Sequence, residues 1–153
     1  MKYLCVTLAM MTTYLGGGES DQYTLKRLGT LSPVFEKATR TLAGEVFYRD
    51  NDDSVITVIN LVYPEPGPRT VFWAGETGGC DANSIGNNKS YVLTPGKVGD
   101  NEYHRNHTIL GPYHGNERDL VLRLPEGVRV RDLAWLCIWC KKYEVNFGSI
   151  KLE

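Results

Sequence analysis

Along much of the chain, apolar side chains return at every second position. Leu120, Leu122 and Leu124 alternate with Asp119, Val121 and Arg123, and Val128 and Val130 alternate with Arg129 and Arg131. Successive side chains of a strand point to opposite faces, so period two predicts a sheet with one face buried. The run from Ser54 to Tyr63, SVITVINLVY, is rich in β-branched residues and apolar on both sides. A strand covered on both faces has that composition. Further strands are predicted over 43–48, 69–74, 90–93, 133–140 and 143–152. Turn chemistry separates them, at 49–53 (RDNDD), 64–68 (PEPGP), 94–96 (TPG) and 125–127 (PEG). The sum is an all-β chain, an antiparallel β-sandwich or barrel-like single domain of about seven or eight strands. The one helical expectation is a turn or two over 33–39.

The first residues read differently. Lys2 precedes an apolar run from Tyr3 to Leu15, then Gly16-Gly17-Gly18 and the polar Glu19-Ser20-Asp21-Gln22. One positive charge, a short apolar stretch and small residues at its exit predict a secretory signal peptide over 1–18, cleaved near Gly18. The run is shorter than the roughly 20 residues that cross a bilayer, and no membrane span is expected elsewhere. Residues 19–24 then form the mature N-terminal segment, and 25–153 the β domain.

Secretion changes the meaning of the cysteines. Cys5 leaves with the leader, and Cys80, Cys137 and Cys140 remain. Outside the cell cysteines usually pair, and an odd number leaves one thiol free or bonded to another chain. The triplets Asn88-Lys89-Ser90 and Asn106-His107-Thr108 are acceptor sequons, so Asn88 and Asn106 are the expected glycosylation sites. The formal net charge is −1, with 42% apolar and 23% charged residues. That balance fits a soluble globular domain and excludes a broad field drawing in nucleic acid or anionic lipid. Residues 75–115 hold both sequons, all three histidines and Cys80, and read as long loops around one strand. Loops carried on a β framework are where binding residues usually sit.

Family resemblance covers almost all of the mature chain. Leu28-Gly29-Thr30-Leu31, Leu42-Ala43-Gly44-Glu45-Val46 and Tyr63-Pro64-Glu65-Pro66-Gly67-Pro68 come first, followed by Val71-Phe72-Trp73-Ala74-Gly75. Leu122-Arg123-Leu124-Pro125-Glu126-Gly127, Leu133-Ala134-Trp135, Ile138-Trp139-Cys140 and Val145-Asn146-Phe147-Gly148 complete the series. In order and spacing these blocks resemble a DM13 domain. The resemblance implies an extracellular all-β domain and marks Cys140, the cysteine after the tryptophan, as the signature residue. Such domains often accompany DOMON or cytochrome b561-like domains, which implies a redox or haem-linked role. The chain departs from the family in places. It has no histidine between Lys37 and Ala43, Pro64 replaces a usual acidic residue, and Cys80 and Cys137 are additions. Against that family background the two added cysteines are expected to bond to each other and leave Cys140 reduced. A Cys80–Cys140 bond is the rival pairing.

Cys137 and Cys140 also make a Cys-x-x-Cys spacing, the shape of a thioredoxin-like centre or half a zinc site. Thioredoxin chemistry needs a helix N-terminus, whereas this pair sits in a predicted apolar strand. Residues three apart on a strand face opposite sides, so their sulfurs do not meet. Zinc needs a second ligand pair, and no metal site is expected. His104, His107 and His114 fall in loops, no Gly-x-Ser-x-Gly elbow is present, and Trp73, Trp135 and Trp139 belong to the core. Two functions follow. One is an extracellular interaction module of a matrix, cuticle or cell-surface assembly, whose partners are extracellular or matrix proteins and not nucleic acid. The other is a redox or electron-transfer accessory in which Cys140 acts as a thiol or approaches a haem.

Overall fold

The computed structural model describes residues 22–34, 42–64, 67–87, 89–93, 95–96, 112–117 and 119–152. The leader expected over 1–18, both sequon asparagines, His104, His107 and most of the expected helix lie outside them. Ten strands make up the described fold. They are β1 (Leu25–Pro33), β2 (Ala43–Arg49), β3 (Asp52–Tyr63), β4 (Thr70–Gly75) and β5 (Ser90–Leu93). β6 (Pro95–Gly96), β7 (Tyr113–His114), β8 (Leu120–Arg123), β9 (Trp135–Cys140) and β10 (Val145–Lys151) follow. Every pairing is antiparallel, and the hydrogen-bonded order is β5-β4-β9-β10-β1-β2-β3-β8-β6, with β7 on β3. The expected all-β architecture is therefore present.

The sheet curls because single strands serve two neighbours in turn. Leu25 to Leu31 of β1 pairs with β2, whereas Ser32 and Pro33 pair with β10. A bulge between Arg27 and Gly29 shifts the register inside the same strand, and such an insertion bends a strand and sharpens its twist. At the far side, β5 pairs with β4 and β6 with β8, though Leu93 and Pro95 are only two residues apart in the chain. The two ends of the hydrogen-bonded path are thus neighbours in sequence.

Curling brings one face of each half inward. Leu31, Val46, Ile56, Phe72, Leu122 and Ile138 are buried in the main core, together with the Tyr63 ring. Burying such side chains stabilises by about 1.5–3 kcal/mol each. Strand β9, with the sequence WLCIWC, is buried at every position. Its Leu136 and Ile138 enter the main core, and Trp135, Cys137 and Trp139 form a second cluster on the other face.

Two sequence expectations need correction. The alternating stretch 128–131 is not a strand: Val130–Asp132 forms a 3-10 turn. Asp132 accepts the Arg129 N–H, and Arg129 and Arg131 both reach Asp53, at 2.9 and 3.7 Å. Their spacing reflects a shared carboxylate and not a pleat. Conversely, β1 is a strand where no strand was expected.

Candidate functional site

The second cluster has a lid made of the loop that leaves the sheet at Glu76 and returns at Lys89, described over 76–87 and at 89. The Glu76 N–H donates to the Lys89 carbonyl at 3.0 Å, so the ends of the loop meet. A compact surface loop closed in this way is an Ω-loop. Tyr91 reinforces the neck by donating to Glu76 at 2.6 Å, and that bond pushes its phenol up to about 12. Within the loop, the Asp81 carboxylate accepts the N–H groups of Asn83 and Ser84, and the Ser84 hydroxyl accepts that of Gly79. Such local bonds give a turn the partners it would otherwise take from water.

Several ties hold the lid to the sheet. A disulfide joins Cys80 to Cys137, the Trp135 indole donates to the Thr77 carbonyl at 2.9 Å, and the Asn146 amide donates to that of Cys80. Ile85 packs on the tryptophan cluster. A loop so tethered is a fixed surface feature, suited to presenting side chains to a partner.

Cys140 points the other way. Strand alternation turns it from the face that carries Cys137, and its thiol is 0% exposed. The S–H donates to the Pro68 carbonyl at 3.1 Å. Around it, the Tyr63 hydroxyl accepts the Gly67 N–H at 2.8 Å and donates to Thr70 Oγ1. Thr70 in turn donates to the Gly67 carbonyl at 2.7 Å. Cys140, Tyr63 and Thr70 therefore all serve the backbone of the turn between β3 and β4. A buried thiol of this kind behaves as a small apolar group with a weak donor.

The described residues do not fit a haem at this place. The Cys140 sulfur is enclosed and directed to a carbonyl, and among the described residues no three His, Cys, Asp or Glu side chains group as ligands. His114 lies exposed on β7, with its N–H on the Glu117 carboxylate. Among the described residues, Cys80 and Cys137 are the expected site residues brought together.

Two features were not foreseen in the sequence. One is a cleft of about 500 Å³ lined by apolar Leu28, Tyr48, Leu133 and Leu152 together with charged Asp53 and Arg129. The other is the meeting of Arg69 and Lys141, whose backbones bond at 3.1 Å just beyond the Thr70–Cys140 pair. Lys141 extends its amine over Trp73, 5.4 Å from the ring centroid. Burial, with Arg69 nearby, holds that amine below the usual lysine range.

A family model described as "Electron transfer DM13" matches residues 34–152. Two Drosophila melanogaster proteins, "Protein Skeletor, isoforms B/C" and "Protein Skeletor, isoforms D/E", are each 43% identical to the chain over 35 residues. That stretch is 23% of this chain but only 4% and 2% of the two relatives. No solved structure matches.

Proposed function

Because the chain belongs to the DM13 family, we propose that it acts as a secreted interaction module of a matrix, cuticle or cell-surface assembly. Its contact surface is the tethered loop 76–89 and the adjoining outer face of β4 and β9. The observation that carries this reading is the placement of Cys140. The family's signature thiol is 0% exposed and bonded to the Pro68 carbonyl, so its work is to hold a turn. Thiol exchange needs an accessible thiolate with basic neighbours, and this sulfur is sealed. A disulfide between β9 and the loop also suits an oxidising compartment. The whole proteins named Skeletor are far longer than the shared stretch, so nothing of their activity enters the proposal.

The second reading, an electron-transfer accessory, is favoured by the description of the matching family model. A thiol titration separates the two. The folded chain is expected to leave Cys140 unlabelled by a maleimide over hours, and to label it promptly in denaturant. Chain made in haem-replete cells is expected to show no visible absorption band. Prompt labelling of folded protein, or a haem band lost in Cys140→Ser, would establish the redox reading instead.

A further inference from the structure

We propose that Arg69 and Lys141 form an anion site on the outer face of β4 and β9, and that its ligand is a carboxylate or sulfate carried on an extracellular glycan. The proposal rests on the interaction-module reading and names the chemistry of one partner. Cross-strand register creates the site: the Lys141 N–H donates to the Arg69 carbonyl, and Thr70 opposes Cys140 one step inside. Arg69 itself has φ +53°, a left-handed conformation uncommon for a long side chain.

Neither cation has an acidic partner among the described residues. Other basic side chains do: Arg27 with Glu45, Lys89 with Glu76, and Arg129 and Arg131 with Asp53. Lys141 is instead partly desolvated against Trp73 and stands near a like charge. That arrangement is unfavourable in the free protein, and an anion placed between the two cations relieves it. In the turn that follows, the Lys142 amine lies over the exposed ring of Tyr143, 61% accessible.

The form of the surface selects a glycan over a peptide. β4 and β9 are each paired on both sides, so they offer no free backbone edge for strand addition. Recognition falls to side chains, and here the Lys141 and Lys142 amines each lie over one face of an aromatic ring, Trp73 and Tyr143. An aromatic face packs against the C–H face of a sugar ring while a neighbouring cation meets its acidic group.

The test is calorimetric titration of the full chain at low salt with heparin, polygalacturonate, neutral dextran and poly-glutamate. Heparin carries sulfate and polygalacturonate only carboxylate, so their ranking identifies the preferred group. Binding to at least one of them and none to dextran is expected. Arg69→Asn and Lys141→Gln are each expected to weaken it roughly fivefold, and Lys26→Gln to leave it unchanged. Unchanged melting temperatures would show that the variants are folded. No binding to either acidic polysaccharide, undiminished binding by the Arg69→Asn/Lys141→Gln double variant, or tighter binding to poly-glutamate overturns the site. Retention on extracellular matrix that persists in the double variant would overturn the anion site and leave the module reading standing. Polysaccharide binding by a chain that matrix does not retain would support the site and sink the module reading.

Discussion

Single side chains decide more here by what they hold than by what they could react with. Tyr91 is the clearest case that can be titrated. Its bond to Glu76 raises its phenol above the ordinary value to about 12. A group whose acid form is favoured in the folded state adds stability below its unfolded pKa, near 10 for tyrosine. That stability is lost as pH climbs from about 10 through about 12. Ultraviolet titration of the folded chain is expected to show a last phenol step near 12 that Tyr91→Phe removes and Glu76→Gln moves down. Tyr91 ionising with the exposed tyrosines would mean the loop neck is not closed as described. Residue-level roles were only partly legible in the sequence. Cys140 is marked by its place after Trp139, but its bond to Pro68 spans 72 residues and depends on the β4–β9 register. The meeting of Arg69 with Lys141 is hidden for the same reason.

At the scale of elements, the outer layer depends on a close fit between loop 76–89 and β9. Gly75 makes room for it: a Cβ at that position would run into the Trp135 ring. Gly75→Ala is expected to cost about 1–3 kcal/mol, read as a lowered denaturant midpoint. An unchanged midpoint would show that Trp135 can move aside and that the fit is loose. The disulfide bridges a separation of 57 residues. In the chain-entropy model a loop of that size is worth about 4 kcal/mol. Cys80→Ser/Cys137→Ser is expected to lose stability of that order and to expose loop 76–89 to proteolysis while the main core persists. Equal proteolysis of the loop in the intact protein would contradict the tether. Two strands were readable from sequence, Leu120–Leu124 by its period of two and Ser54–Tyr63 by its β-branched, apolar composition. β1 was not, because its bulge sets Leu25, Leu28 and Leu31 three apart and breaks the alternation. The valines and arginines of 128–131 mislead in the opposite sense, since a 3-10 turn also brings Val130 inward.

For the molecule as a whole, one curled sheet carries two unlike layers. The inner one is an ordinary apolar core, legible from period two. In the outer one, the Cys80–Cys137 bond was expected from the family background and the tryptophans as core residues, whereas a separate second layer shows in the sequence only as an excess of apolar residues in WLCIWC. That excess fits a strand covered on both faces, which alternation alone cannot distinguish from a wholly buried edge. If the protein works as an interaction module, the outer layer is what its partner touches, and Cys140 matters only for the turn beneath it. The most direct test is to express the chain in secreting cells and measure how it divides between medium and extracellular matrix. Wild type and Cys140→Ser are expected to be retained on the matrix equally, and Cys80→Ser/Cys137→Ser to be largely released. Loss of retention in a folded Cys140→Ser, or wild type found wholly in the medium, would contradict the account.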